Sequence, residues 1–220
     1  MQVLLRIVAW SVVLIGCVPT LFGHRLDEYL QASRIEISTA QVVVDLDLTP
    51  GSAIAESVVA AIDHNHDGLA TLEEARSYGD AVLQSTHLEL DGRRLGLRLI
   101  SAQAPDANAL RSGVGTIRLR LGAAWTGTAG AHHLVYRNVH REDVSVYLAN
   151  ALAPATPRIR ITSQDRDVRQ RELRLEYEVT AATPQWPSWW AAILGVAVFS
   201  TALWQSRARL RAGFPPPLRS

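Results

Sequence analysis

The segment from Asp63 to Glu74 constrains the fold more than any other stretch of this 220-residue chain. It places side-chain oxygens at alternate positions, on Asp63, Asn65 and Asp67, and then a glycine, Gly68. A glutamate, Glu74, stands at the twelfth position. Because glycine adopts a positive φ without steric cost, the pattern predicts a tight turn that gathers oxygen ligands.

This spacing resembles the calcium-binding loop of the EF-hand family, which lies between two helices. The resemblance implies that Ca²⁺ is held by side chains at the first, third and fifth positions, a carbonyl at the seventh, a water-mediated contact at the ninth and a bidentate glutamate at the twelfth. In this chain the corresponding residues are Asp63, Asn65, Asp67, Leu69, Thr71 and Glu74.

Helix capping offers a second interpretation of part of the same segment. Thr71 and Glu74 have the spacing of a capping box, in which the two residues cap the start of a helix reciprocally. Capping explains the second half of the segment without a metal ion. It does not explain the placement of Asp63, Asn65 and Asp67.

The resemblance also bears on the expected affinity. EF-hands usually work in pairs and carry a branched apolar residue at the eighth position, whereas this chain has Ala70 there and no second loop. A single loop of this kind is expected at the weak end of the family's range, with a dissociation constant on the order of 10⁻⁴ M. Such an affinity suits an extracytoplasmic module.

The residues on either side of the loop have helical periodicity. Ile54, Val58 and Ile62 recur at four-residue spacing, and Ser52 is placed to cap the helix that they form. A second helix is predicted after the loop, ending near Leu83. The helix-loop-helix insert is therefore expected over residues 52–85.

The remainder of residues 24–180 alternates between apolar and polar side chains in short runs separated by turn residues, which is typical of β-strands. One hairpin is signalled by the Asp91-Gly92 turn between two runs of alternating leucines. The fold class predicted is mainly β, an antiparallel immunoglobulin-like sandwich interrupted by the helical insert.

The first 23 residues have the pattern of a secretory signal peptide, an apolar signal helix followed by small and turn-forming residues. Cleavage after Gly23 would make His24 the first residue of the mature chain. Leu14-Ile-Gly-Cys17 also resembles a bacterial lipobox, in which the cysteine is acylated. Because Cys17 is the one cysteine in the sequence, cleavage after Gly23 would remove any basis for a disulfide framework.

A second apolar segment, at 188–205, predicts a transmembrane helix that follows a short linker at 181–187. Tryptophans lie at both of its ends, as in the aromatic belts of membrane helices. The tail at 206–220 carries four arginines, Arg207, Arg209, Arg211 and Arg219. By the positive-inside rule this tail is cytoplasmic. The predicted location is a bacterial inner membrane, with the β domain in the periplasm.

Several function classes are disfavoured by the sequence. It has no Gly-x-Ser-x-Gly elbow, no phosphate-binding glycine loop and no His-Glu-x-x-His zinc motif, so an enzyme is not expected and no catalytic residues are assigned. All the acidic residues lie between Asp27 and Glu178. An acidic body argues against a nucleic-acid partner.

The stretch that begins His24-Arg-Leu-Asp-Glu-Tyr29 leads into the β domain and then the predicted anchor. This order is similar to the outward domains associated with HupE/UreJ-type metal permeases. The partner expected is a membrane or envelope protein, to which the insert stiffened by calcium would present a surface. The resemblance assigns no residues. It also leaves an alternative function open, a nickel or copper carrier that uses His24, because a free N-terminal amine and an imidazole together chelate these metals.

Overall fold

The computed structural model describes residues 26–182. This part of the chain forms two five-stranded β-sheets and three helices. The predicted signal peptide at 1–23, His24, the predicted transmembrane helix at 188–205 and the tail at 206–220 lie outside the described residues. Among the residues that are described, no helix combines the length and the apolar character needed to cross a membrane.

The first sheet, sheet A, has the strand order β5-β6-β2-β1-β8. Its strands are β1 (Tyr29–Ile37), β2 (Gln41–Pro50), β5 (Arg98–Gln103), β6 (Ile117–Ala124) and β8 (Ser145–Ala151). Neighbouring strands are antiparallel except for β1 and β8, which run parallel. The sequence predicted an antiparallel arrangement, so the parallel pairing of β1 with β8 differs from the prediction.

The second sheet, sheet B, has the order β4-β3-β7-β10-β9 and is antiparallel throughout. Its strands are β3 (Thr86–Leu90), β4 (Arg93–Arg94), β7 (Gly130–Asn138), β9 (Ile159–Arg166) and β10 (Glu172–Val179). The Asp91-Gly92 turn joins β3 to β4 with φ values of 51° and 76°. Positive φ at both residues is the backbone of a type I′ hairpin turn, so this prediction is confirmed.

The return strand of that hairpin is much shorter than the leucine pattern predicted. β4 contains only two residues, after which the chain crosses to sheet A and continues as β5. Leu95, Leu97 and Leu99 pack against the core between the sheets during this crossing. Their alternation is that of a strand, yet these residues connect two different sheets.

The helices are α1 (Ala55–Ile62), α2 (Leu72–Gln84) and α3 (Ala107–Arg111). α1 and α2 confirm the predicted helical insert, although α1 begins after Ile54 and has no side-chain cap, so the predicted capping role of Ser52 is wrong. The sequence predicted no helix in the stretch that contains α3. α3 is capped by Asp106, whose Oδ1 accepts a hydrogen bond from the Ala109 N–H at 2.9 Å.

The inner face of sheet A is divided between two partners. At one end of β2, Val42 and Val44 belong to a core shared with sheet B. At the other end of the same face, Leu46 and Leu48 belong to a second core formed with the three helices. Full burial of a side chain of this size contributes about 1.5–3 kcal/mol, so both halves of the strand are strongly held.

Buried polar groups join the two cores where they meet. Tyr29 of β1 and Tyr78 of α2 share a hydrogen bond of 2.8 Å between their hydroxyls, and the Tyr78 hydroxyl lies 3.2 Å from His140 Nε2. Gln31 donates to the His140 carbonyl and accepts from Asn138 Nδ2. These contacts connect α2 to β1 and to the segment between β7 and β8. Burial lowers the pKa of His140 to about 4, so its ring is neutral at physiological pH.

We predict that Tyr78→Phe destabilises the domain by about 1–3 kcal/mol, because it leaves the buried Tyr29 hydroxyl without this partner. The measurement is the free energy of unfolding in urea. Tyr177→Phe is the matched control, since the buried Tyr177 hydroxyl has no hydrogen-bond partner among residues 26–182 and its removal should cost nothing. Equal destabilisation by the two substitutions would contradict the assigned role of the Tyr29–Tyr78 bond.

Candidate metal centre

The segment from Asp63 to Glu74 connects α1 directly to α2. The carboxylates at its two ends are buried, with Asp63 5% exposed and Glu74 8% exposed. Buried carboxylates require charge-stabilising partners, because removing an anion from water is costly. The surroundings of these two groups therefore show how the loop is organised.

Asp63 organises the first half of the loop. Its Oδ1 accepts a hydrogen bond from the Asp67 N–H at 3.1 Å, and its Oδ2 accepts from the Gly68 N–H at 2.9 Å. Gly68 has φ of 81° and His66 has φ of 60°. The carboxylate therefore closes the turn, and at Gly68 the backbone takes the conformation that glycine adopts at no steric cost.

Asn65 and Asp67 continue the same pattern. Asn65 Oδ1 accepts from the Asp67 N–H at 3.1 Å, and Asp67 Oδ1 accepts from the Leu69 N–H at 2.8 Å. Asn65 Nδ2 also donates to Asp67 Oδ2 at 3.0 Å. The first, third and fifth side chains thus all fold inward over the backbone of the turn.

Glu74 closes the second half. Its Oε2 accepts from the N–H and from the hydroxyl of Thr71, at 3.0 Å and 2.8 Å, while the Thr71 hydroxyl accepts from the Glu74 N–H. This is the predicted capping box, which is confirmed. Glu74 Oε1 accepts from the His64 N–H at 3.0 Å, so the carboxylate joins the start of α2 to the end of α1. The hydrogen bonds from Thr71, together with those from the backbone at His64, lower the pKa of Glu74 and keep it ionised.

The six residues of the predicted calcium site lie in one loop, but their carboxylates are directed toward N–H and hydroxyl donors. Within residues 26–182, no three His, Cys, Asp or Glu side chains come together closely enough to hold a metal ion. The donor set itself suits Ca²⁺, which prefers six to eight oxygen ligands. Bidentate binding would require the Glu74 carboxylate to turn from His64 and Thr71 toward Asp63.

α3 packs against this loop from the side, a feature that the sequence did not reveal. The Ala107 N–H donates to the carbonyl of Gly68 at 3.2 Å. Arg111 forms an ion pair with Glu56 of α1, with Nε and Oε2 2.7 Å apart. Between α3 and the loop remains a cavity of only about 10 Å³, which is barely enough for one water molecule. The glycine turn is therefore held by two hydrogen bonds, from the Gly68 N–H to Asp63 and from the Ala107 N–H of α3 to the Gly68 carbonyl.

The histidines beside these elements occupy different environments. His64 and His66 are exposed on the loop. His132 and His133 point to opposite faces of β7, where they contact Asp91 and Glu176 respectively. Within the described part of the chain, the contacts of His132 and His133 do not reach the loop, so these two residues contribute nothing to the predicted calcium site.

Comparison with family models and with curated proteins finds no match for this chain. The functional interpretation therefore rests on the loop and on its surroundings.

We predict that Thr71→Ala destabilises α2 by about 1 kcal/mol, since the change removes the side-chain cap. The free energy of unfolding without added metal measures this cost. Ser52→Ala serves as the control, because Ser52 is exposed and caps no helix. If the two variants are equally stable, the capping box does not support α2 as described.

Proposed function

We propose that the segment from Asp63 to Glu74 binds Ca²⁺ as a single EF-hand-like loop. The observation that supports this most is the pair of buried carboxylates, Asp63 and Glu74, at the two ends of a twelve-residue segment that joins α1 to the first turn of α2. A capping box is sufficient to explain the position of Glu74. It gives no reason for a buried Asp63 or for the series of acceptors that follows it.

The ligands would be the residues named from the sequence. Asp63, Asn65 and Asp67 supply side-chain oxygens, Leu69 supplies its carbonyl, Thr71 contributes through water, and Glu74 supplies both carboxylate oxygens. Each carboxylate oxygen has two lone pairs, so those of Asp63 keep acceptor capacity beyond the N–H groups that they already hold. The bound ion would replace the bonds from His64 and Thr71 to Glu74.

α2 connects such a site to the β domain. Glu74 lies in the first turn of α2, and Tyr78 lies one turn further along, where it contacts Tyr29 and His140. Reorientation of Glu74 would act on the helix that carries this buried network. Calcium would thereby stabilise the helical unit and the surface that it forms with the sheet.

We also propose the setting in which this binding takes place. The domain, an immunoglobulin-like sandwich, would lie in the periplasm and be anchored in the inner membrane by residues 188–205, with a membrane or envelope protein as its partner. The support is the sequence pattern of the two ends of the chain. In this setting the loop has a binding role and the chain is not an enzyme.

We predict that the chain that begins at His24 binds Ca²⁺ with a dissociation constant on the order of 10⁻⁴ M, measured by titration calorimetry. At ~10 mM Ca²⁺, about 100 times this constant, the folded state gains about 2.7 kcal/mol. Glu74→Gln should abolish the binding and preserve α2, since glutamine also serves in a capping box. Glu73→Gln is the matched control, an exposed neighbour that is not a predicted ligand.

The proposal would be contradicted if millimolar Ca²⁺ produced neither heat nor stabilisation while Ni²⁺ or Cu²⁺ bound at micromolar concentration. That outcome would favour the alternative, a transition-metal carrier that uses His24.

The hydrogen bond between α3 and the loop should support calcium binding, and a substitution at Ala107 tests this. Ala107 is the first residue of α3, a position that accepts proline, and the extended backbone of Asp106 suits a residue before proline. Ala107→Pro therefore removes the hydrogen bond to the Gly68 carbonyl and retains the helix. Because such a bond contributes about 0.5–1.5 kcal/mol, we expect calcium affinity to fall about 2- to 10-fold.

Ala107→Ser retains the N–H group and should bind calcium as the unmodified protein does. Equal affinity for Ala107→Pro and Ala107→Ser would show that α3 does not position the glycine turn.

A further inference from the structure

His132 occupies a buried position in β7, at the end of the sandwich remote from the calcium loop. Its side chain is only 8% exposed, whereas the side chain of the adjacent His133 is 41% exposed. Alternation along the strand places these two imidazoles on opposite faces of sheet B. The pair therefore offers one buried and one exposed histidine in the same strand.

Both ring nitrogens of His132 face hydrogen-bond acceptors. Nδ1 lies 2.8 Å from Oδ2 of Asp91. Nε2 lies 2.9 Å from the carbonyl oxygen of Thr128 and 3.5 Å from the hydroxyl of the same residue. A neutral imidazole carries a single N–H and would leave one of these acceptors facing a lone pair. Only the imidazolium donates to both.

The two acceptors come from different connections of the fold. Asp91 belongs to the turn between β3 and β4, and its Oδ1 also accepts from the His133 N–H at 2.8 Å. Thr128 belongs to the connection 125–129 between β6 and β7. The protonated ring thus bridges two segments that have no direct hydrogen bond to each other among those described.

The remaining neighbours of His132 supply little charge. Trp125 and Tyr177 pack against the ring, with centroid distances of 5.3 Å and 5.4 Å. Burial raises the pKa of Tyr177, so this hydroxyl is neutral. His132 and Trp125 line a surface cleft with a volume of about 380 Å³, and Arg93 lines it as well. Among the described residues, Asp91 is therefore the anion that is hydrogen-bonded to the ring.

The balance of these effects favours the charged ring. Burial alone lowers the pKa of His132, but the hydrogen bonds to Asp91 and to the Thr128 carbonyl outweigh it and raise the pKa above its ordinary value. A group whose pKa is raised by folding stabilises the folded state most below its unfolded pKa. This contribution is lost as the pH rises through the folded pKa.

We propose that His132 is a pH-sensitive clasp, which in its protonated form ties the β3–β4 turn to Thr128 in the connection 125–129 and releases Thr128 when it loses its proton to solvent. Release would free Thr128 and loosen the wall of the cleft beside Trp125. The connection keeps three other hydrogen bonds, all to the turn between β1 and β2. The N–H groups of Trp125 and Gly127 donate to the carbonyls of Ala40 and Thr39, at 3.1 Å and 2.9 Å, and Trp125 Nε1 donates to the Ser38 carbonyl at 2.7 Å. The change is therefore local and reversible.

The experiment uses the full-length chain and two measurements. Histidine ring carbons are followed by NMR during a pH titration, with assignments made from single substitutions. Amide hydrogen exchange of residues 125–129, corrected for intrinsic rates, is measured by mass spectrometry at pH 6 and pH 8.5. The variants are Asp91→Asn and His132→Gln, with His133→Gln as the matched control on the opposite face.

We expect His132 to titrate at a higher pH than His133 and the connection to lose protection between the two pH values. Asp91→Asn should move the His132 titration to lower pH and weaken protection already at pH 6, whereas His133→Gln should change neither. If His132→Gln fails to fold, Asp91→Asn and the titration still decide the question. A His132 midpoint at or below about 6.5, or protection that is independent of pH, would overturn the proposal.

Discussion

The carboxylate of Glu74 is the group on which the helical part of this protein depends. It accepts hydrogen bonds from Thr71 at the start of α2 and from His64 just beyond the end of α1, so it fixes the two helices relative to each other. α2 in turn covers one half of the inner face of sheet A and carries Tyr78 into the polar network around His140. A carboxylate that is already held by backbone donors is preorganised in position, although its lone pairs are engaged. In our account Ca²⁺ competes for this carboxylate, which is consistent with weak binding.

If the loop binds Ca²⁺ as we propose, α3 would provide the support that a second loop provides in paired EF-hands. Pairing normally stabilises a calcium loop from outside, and this chain has no second loop in its sequence. The hydrogen bond from Ala107 to Gly68 and the ion pair between Arg111 and Glu56 hold the turn and α1 from the same side. A loop supported within the chain needs no second copy to complete it, so the proposed site would function in a monomer.

The features that the sequence predicted well are those with a local cause. Alternation identified most of the strands, Asp91-Gly92 identified a hairpin, and Thr71 with Glu74 identified a helix start. Features that depend on distant contacts were not predicted. The parallel pairing of β1 with β8 joins segments more than a hundred residues apart. The chain leaves sheet B at Leu95 because the next strand pairs in sheet A, which local sequence does not reveal. α3 is too short to show helical periodicity. The position of Glu74 was predicted, but its bond to His64 depends on the tertiary fold.

The central claim is that the loop from Asp63 to Glu74 is a calcium site, and a crystal structure determined at millimolar Ca²⁺ tests it most directly. Our account predicts an ion within the loop, at about 2.4 Å from both carboxylate oxygens of Glu74 and from the oxygens of Asp63, Asn65 and Asp67. The bond from the His64 N–H to Glu74 would then be absent. A loop without an ion at this concentration, with Glu74 still bonded to His64 and Thr71, would contradict the account and leave the segment a helix cap.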